Sequence, residues 1–131
     1  MKYILMMNGT KSGWEQFMKW PKEDLQAHIA FMIQLNKELK KSGELVAAEG
    51  LDMPANAKIV RAGKDGAPVT DGVFPESKEF LAGWWIVDVE SADRAYAIAA
   101  KASLAPGHAG APMYIPIEVR QVMSGPPEEF V

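Results

Sequence analysis

Two adjacent tryptophans in a β-type segment place the strongest constraint on how this chain can fold. The segment GWWIVDVE, residues 83–90, is rich in the aromatic and β-branched side chains that are enriched in strands. Because successive side chains of a strand point to opposite faces, Trp84 and Trp85 cannot be buried against the same layer. Residues 2–8 (KYILMMN) are likewise apolar on both alternations. The sequence therefore predicts a sheet that is covered on both faces.

Two helices are predicted from spacing and end signals. The first, residues 22–43, begins with acidic residues, ends with lysines and closes on a glycine stop. Its predicted buried stripe consists of Leu25, Ile29, Met32, Leu35 and Leu39. The second, residues 91–104, begins at the N-cap Ser91. Its predicted packing face consists of Ala95, Ile98 and Ala99.

The order of elements predicts the fold class. Further strands are predicted at residues 44–50, 57–62 and 115–123. The order β-α-β-β-α-β predicts an α+β fold of the ferredoxin-like type, with a four-stranded antiparallel sheet and both helices on one face. We expect one domain over residues 1–124, followed by an irregular tail, residues 125–131, that is rich in Pro and Glu.

The sheet face without helices needs a cover of its own. A bare apolar face of this size would be a sticky patch on a monomer. A second copy of the chain, packed sheet against sheet, would bury both open faces in a shared interior. We therefore expect a homodimer.

Composition excludes several classes of function. A chain of 131 residues that is 48% hydrophobic is one ordinary soluble domain. The net charge of −3 and the interspersed charges argue against direct nucleic-acid binding. The absence of cysteine removes disulfides, thiolate metal sites and cysteine nucleophiles. The apolar run at residues 4–7 is too short for a signal peptide or a membrane span, so we expect a cytoplasmic protein with no membrane association.

Several motifs resemble those of one protein family. The stretch VTDGVFPESKEFLAGWWIVDVES, the upstream GELVAAEGL and the terminal IEVRQVM resemble the YCII-related proteins, and within them the DGPF-domain branch. The similarity runs from about residue 3 to residue 123. Where the branch has its namesake Asp-Gly-Pro-Phe, this chain has Asp71-Gly72-Val73-Phe74. The resemblance implies a ferredoxin-like fold in the dimeric α/β barrel superfamily.

The resemblance also implies two kinds of function. Members of the wider YCII family are similar to a dehydrochlorinase that acts on a chlorinated hydroxyquinol, and they carry a histidine–aspartate pair in a pocket. His28 stands at the position of the family's helix histidine. Members of the DGPF branch look like companions of extracytoplasmic-function sigma factors.

His28 and Asp71 are the candidate catalytic residues. His28 lies on or beside the sheet-facing stripe of the first helix, where a nearby carboxylate would let it act as a general base. The alternative is a helix histidine bonded to backbone or solvent. Asp71 is the candidate partner, in a loop between two strands that Phe74 would anchor over the pocket, although Asp-Gly is also a preferred turn pair. His108 is interpreted as a loop residue.

Strand alternation groups the candidate ligand-binding residues. Asp88 shares a face with Trp84, Glu118 shares one with Arg120, and Glu49 alternates with apolar neighbours. Charges inside a covered sheet must be paired. Arg120 is therefore interpreted either as an ion-pair partner of Glu118 or Asp88, or as a ligand contact together with Phe74, Trp84, Asp88 and Glu49.

Three functions remain open at this point. The sequence has no phosphate loop, no clustered metal-ligand spacing and no nucleophile elbow, so we expect no metal and no cofactor. Trp14 and Trp20 either pack on the first helix or form the wall of an aromatic pocket. The chain is then a proton-transfer enzyme (elimination or isomerisation) for a small aromatic or oxygenated molecule, a ligand-binding or regulatory protein associated with a sigma factor, or a dimeric scaffold without a ligand.

Overall fold

The computed structural model describes residues 1–71 and 79–130. They form a four-stranded sheet with helices packed on it, and a separate two-stranded β-ribbon. Its helices and strands are β1 (Lys2–Gly9), α1 (Lys11–Phe17), α2 (Lys22–Ser42), β2 (Leu45–Gly50), β3 (Ile59–Ala62), β4 (Pro68–Asp71), β5 (Phe80–Asp88), α3 (Ala92–Ser103) and β6 (Ile117–Gln121). Short 3₁₀ turns follow β2, α3 and β6.

Four of these strands form an antiparallel sheet in the order β2-β5-β1-β6. Leu5 of β1 lies opposite Trp85 on one side and Val119 on the other. Together with α2 and α3, the four strands follow one another as β-α-β-β-α-β. The α+β class and the four-stranded antiparallel sheet are therefore confirmed.

The core lies between this sheet and the two long helices. The residues buried there come from β1, β5, α2 and α3, and they include Tyr3, Leu5, Leu35, Leu39, Trp85, Val87, Ile98 and Ala102. The Trp85 indole N–H donates to Asn36 Oδ1 at 2.8 Å, which joins the central strand to α2. The N–H of a buried tryptophan usually finds a hydrogen-bond partner, and here Asn36 supplies it. Trp84 and Ile86 are half-buried on the opposite face, as the alternation predicts.

Helix α2 begins and ends close to the predicted positions. Gly43 has φ 81°, the left-handed conformation that glycine adopts freely, and its N–H bonds to the carbonyls of the last turn. The predicted stripe is wrong at Ile29, which is 52% exposed. His28 is buried in its place, because positions 28, 32, 35 and 39 follow the helical period and position 29 is rotated about 100° away.

Helix α1 was not predicted, since its residues read as a loop. Thr10 is its N-cap, and the Thr10 hydroxyl accepts a hydrogen bond from the Gly13 N–H at 3.0 Å. The helix has seven residues and none of them is buried. A helix this short depends on packing rather than on propensity, so no periodic signal announces it.

The strand predicted at residues 57–62 exists as β3, and it lies outside the main sheet. It pairs only with β4 in a two-stranded ribbon, and β5 takes the place beside β2 in the main sheet. Most residues of this ribbon are exposed. Its valines, Val60 and Val69, are more than half exposed at 57% and 51%, so the ribbon is not packed into the core.

Candidate functional site

A cavity of ≈ 860 Å³ lies at the end of the sheet where β1 and β2 finish and where β5 and β6 begin. Helix α1 covers it, and the buried face of α2 forms one wall. Its described apolar lining includes Trp14, Phe17, Met32, Trp84 and Trp85. The volume and the aromatic walls are typical of a site for a small organic molecule.

His28 lies in the wall of this cavity and is only 9% exposed. Its Nδ1 is 3.0 Å from the carbonyl oxygen of Pro106. A carbonyl oxygen can only accept, so Nδ1 carries a proton, and in the neutral tautomer with this proton Nε2 has the lone pair. The ring is thus bonded to the backbone, as the second alternative has it, and it also lines the cavity; its role as a general base stays a prediction.

Aromatic rings from α1 and the following turn surround His28. The Phe17 and Trp20 rings meet the imidazole edge to face, with centroids at 5.5 and 5.9 Å. Trp14 stacks on Phe17 at 5.5 Å. Trp14 lines the cavity, whereas Trp20 is not among the described lining residues. The two alternatives for these tryptophans thus have different outcomes. Trp14 both lines the cavity and packs on Phe17, whereas Trp20 packs on His28.

Trp14 also carries an unsatisfied polar atom. Its indole Nε1 is buried and has no hydrogen-bond partner among the residues that the structure describes. Leaving a buried donor unpaired costs about 1–3 kcal/mol. Because this N–H contributes no hydrogen bond, the described contacts that hold helix α1 over the cavity are its aromatic contacts and its N-cap.

The loop after α3 is attached to α2 at two points. One is the bond from His28 to Pro106, and the other joins the Ala109 N–H to Asp24 Oδ2 at 3.0 Å. This loop continues into the cavity wall at residues 113–118. The position of His28 and the position of this wall are therefore coupled.

The charged groups around the cavity are all acidic in the described part of the chain. Glu49 at the end of β2 and Glu118 in β6 line it and are exposed, and Glu79 before β5 also lines it. No lysine or arginine is among the described lining residues. The described charged side chains that line the cavity are therefore carboxylates.

Asp71 is placed differently from the prediction. It is the last residue of β4 in the ribbon, rather than a residue of a loop between two strands of the main sheet. Its carboxylate is 3.2 Å from the Arg61 guanidinium and is about half exposed. None of the described contacts joins Asp71 to His28, and Asp71 is not among the described cavity residues. Phe74 and the rest of residues 72–78 lie outside the described part.

The remaining candidate residues divide between the cavity and the surface. Glu49 and Trp84 line the cavity. Asp88 instead accepts a hydrogen bond from the N-terminal amine of Met1 at 3.0 Å. Arg120 is exposed, and the described ion pairs do not join it to Asp88 or to the neighbouring glutamate of β6. On the exposed surface of the single chain, water can solvate such a charge without an ion pair.

The sequence analysis missed Tyr114, which lines the cavity, and Pro106, which is bonded to His28. The contact of Pro106 is made by its backbone carbonyl, which every residue type has, so no sequence signal marks it. Tyr114 lies in a segment without periodicity between α3 and β6. His108, interpreted as a loop residue, is indeed exposed in a short turn.

Comparison with known proteins gives one match. A family model described as a YCII-related domain matches residues 1–113, which contain β1 to α3 and most of the cavity wall. A search of curated proteins found no match. In the described ranges, every helix is too short or too polar to cross a membrane.

Proposed function

Since the chain belongs to the YCII-related family, we propose that it binds a small uncharged aromatic molecule in the cavity beneath α1. The aromatic wall supports a flat apolar ligand, because ring–ring contacts contribute beyond the burial of area. The DGPF-domain branch is part of the proposal and rests on the motif at residues 71–74.

The charge of the site supports an uncharged or cationic ligand over an anion. Two carboxylates about 8 Å from a bound anion would each oppose it by about 0.5 kcal/mol in water. Glu49 and Glu118 both lie at the wall, whereas Arg120, the cationic candidate among the predicted ligand contacts, is not among the described lining residues. An acidic ligand therefore has no described counter-charge in this cavity.

We further propose that His28 acts as a general base in a proton transfer that needs no cofactor. The observation that carries this proposal is the hydrogen bond from Nδ1–H to the Pro106 carbonyl, which leaves Nε2 as the basic nitrogen. Nε2 would accept a proton from a C–H or O–H group of the ligand. In an isomerisation the proton returns to another atom of the ligand, and in an elimination a leaving group departs as the C–H electron pair forms the double bond.

The binding step is tested with a fluorescent pair that differs in charge. Phenylnaphthylamine is uncharged, and anilinonaphthalenesulfonate has the same rings with a sulfonate added. We expect the protein to enhance the emission of the uncharged probe and to bind the sulfonate more weakly. Displacement of the uncharged probe by a set of phenols then identifies ligands. A protein that binds neither probe, or prefers the sulfonate, contradicts the proposed ligand class.

The proton-transfer step is tested by isotope exchange. A displacing ligand is incubated with the protein in deuterated water, and its carbon-bound hydrogens are followed by NMR. Exchange that His28→Gln abolishes supports the base, because glutamine can keep a hydrogen bond to Pro106 but cannot take up a proton. A tightly bound ligand that neither exchanges nor is consumed contradicts the enzyme.

The second candidate is a ligand-binding or regulatory protein that works beside an extracytoplasmic-function sigma factor. One observation favours it: the described hydrogen-bond partner of His28 is a backbone carbonyl, whereas the histidine–aspartate pair of the enzyme hypothesis requires a carboxylate there. In that case the cavity senses a molecule without converting it. Co-purification of the tagged protein with a sigma factor, with and without a displacing ligand, tests this function.

We also propose that two copies form the dimeric α/β barrel through the sheet face without helices. Ile4, Met6, Trp84 and Ile86 form adjacent positions on that face and are half-buried. These side chains are apolar, and burying each fully is worth about 1.5–3 kcal/mol. A second copy with the same face offers a self-complementary cover.

A further inference from the structure

Tyr114 adopts a backbone conformation that its residue type disfavours. Its φ is +52°, and in the described part of the chain only Ala109, with φ +58°, shares this property among residues other than glycine. A bulky residue in the left-handed region is a true outlier, because its Cβ crowds the neighbouring carbonyl. Strain of this kind clusters at functional sites.

The residues on both sides of Tyr114 hold this strain in place. The Met113 N–H bonds to the Ala105 carbonyl at 3.0 Å, and the Ile115 N–H bonds to the Ser103 carbonyl at 3.2 Å. Both acceptors belong to the end of α3 or the residues just after it. The chain is thus anchored one residue before and one residue after Tyr114, and the left-handed turn between the anchors directs its side chain.

Gly107 adds a third constraint from the other side of the loop. A Cβ at this position would lie 2.7 Å from Cγ of Met113, closer than carbon atoms in contact can approach. Glycine therefore allows Met113 to pack tightly against the start of the loop. This packing leaves the backbone at Tyr114 little room to relax.

Packing of the Tyr114 side chain against the rest of the chain does little to offset the strain in its backbone. It is 70% exposed, so burial does not offset the strained backbone. It nevertheless lines the cavity, in the same wall as Glu118. The strained residue is therefore an exposed aromatic ring at the edge of a cavity with aromatic walls.

We propose that Tyr114 is a ligand-contacting residue that selects flat aromatic ligands by packing its ring on them. The inference rests on the proposed function, because it requires that the cavity bind an aromatic molecule. It adds a residue beyond the family match, which ends at residue 113. The ring faces of tyrosine and ligand supply the contact, so the phenol hydroxyl is not required.

The test uses Tyr114→Gly, Tyr114→Phe and a matched strain control, Ala109→Gly. Glycine at either position relieves the left-handed strain and adds the same freedom to the unfolded chain. Ala109 is not among the described cavity residues, and its N–H bond to Asp24 survives the change. Binding of phenylnaphthylamine and thermal unfolding are measured for each variant and for the native protein.

We expect Tyr114→Gly to weaken probe binding by about five- to tenfold while its Tm rises by about 2 °C. Ala109→Gly raises Tm by a similar amount and leaves the affinity unchanged. Tyr114→Phe binds the probe within twofold of the native protein. This combination separates a residue that contacts the ligand from one that is merely strained.

Several outcomes overturn the inference and leave the proposed function standing. One is a Tyr114→Gly protein that binds the probe as tightly as the native protein. Another is a fall in its Tm with unchanged affinity, which marks Tyr114 as structural. A third is dissociation of a dimer with unchanged affinity, which assigns the ring to an interface between copies. If the native protein binds no uncharged aromatic probe, the proposed function fails first.

Discussion

Replacing both Glu49 and Glu118 by glutamine is expected to admit anionic ligands to the cavity. Both residues line it and both are exposed in the single chain, so the dielectric constant of water gives the smallest interaction they can have with a bound sulfonate, and a second copy on the same sheet face would strengthen it. At about 8 Å each carboxylate opposes the sulfonate by about 0.5 kcal/mol. Removing two such charges gains about 1 kcal/mol, which corresponds to a roughly fivefold increase in affinity.

The assay compares the two fluorescent probes on the same protein. Titrations are made at low ionic strength, because salt screens interactions between exposed charges over about 10 Å. The double variant is expected to bind anilinonaphthalenesulfonate about fivefold more tightly and phenylnaphthylamine unchanged. The gain for the sulfonate should shrink as salt is added, since the effect is electrostatic.

Glu23→Gln is the matched control for this experiment. Glu23 is an exposed glutamate in the first turn of α2 and is not among the described lining residues. Its replacement changes the net charge by one unit without changing the cavity, so neither probe should respond. Equal gains for both probes in the double variant, or a gain in the control as large as in the double variant, refutes the electrostatic explanation.

Three further predictions concern the base, a surface ion pair and the open sheet face. His28→Gln is expected to abolish hydrogen exchange of a bound ligand and to keep probe binding within about threefold. Arg94→Ala is expected to lower stability near neutral pH by about 0.5–1 kcal/mol, because Arg94 donates two hydrogen bonds to Glu44 at 2.7 and 2.8 Å on the protein surface. Ile86→Glu is expected to convert a dimer to monomer in sedimentation velocity, since it places a charge at the centre of the proposed interface.

The Arg94 prediction carries a pH dependence with a defined sign. Hydrogen bonds from the Arg94 guanidinium hold the pKa of the Glu44 carboxyl below its ordinary value of 4.5. A depressed pKa means that the stabilisation is complete above the ordinary value and is lost as pH falls through the folded-state value. The stability difference between the native protein and Arg94→Ala should therefore shrink as the pH is lowered into the acid range below 4.5. A difference that persists undiminished there contradicts this ion pair as its source.

The other two predictions have their own contrary outcomes. Ligand exchange that continues at the native rate in His28→Gln would remove His28 from the chemistry. A native protein that sediments as a monomer at micromolar concentration would contradict the dimer. Ile33→Glu serves as a control for Ile86→Glu, because Ile33 lies on α2 rather than on the sheet and is 50% exposed.

The sequence alone determined those features whose causes are local. Acidic residues at its start and Gly43 at its end located α2, because caps and the helix dipole act within a turn or two. The opposite faces of Trp84 and Trp85 follow from the period of a strand. Helical spacing predicted that His28 lies at or near the buried stripe, but it wrongly assigned the exposed Ile29 to that stripe.

Tertiary structure decided which of these residues meet. The carbonyl that orients His28 lies 78 residues further along the chain, and no local pattern marks an acceptor that every residue possesses. Strand pairing brings Glu49 and Glu118 to one cavity and leaves Asp71 in a ribbon beside Arg61. Register and packing are properties of the whole sheet, and together they bring the carboxylates, helix α1 and the strained Tyr114 around the same cavity. Periodicity along the sequence could only predict which side chains face inward.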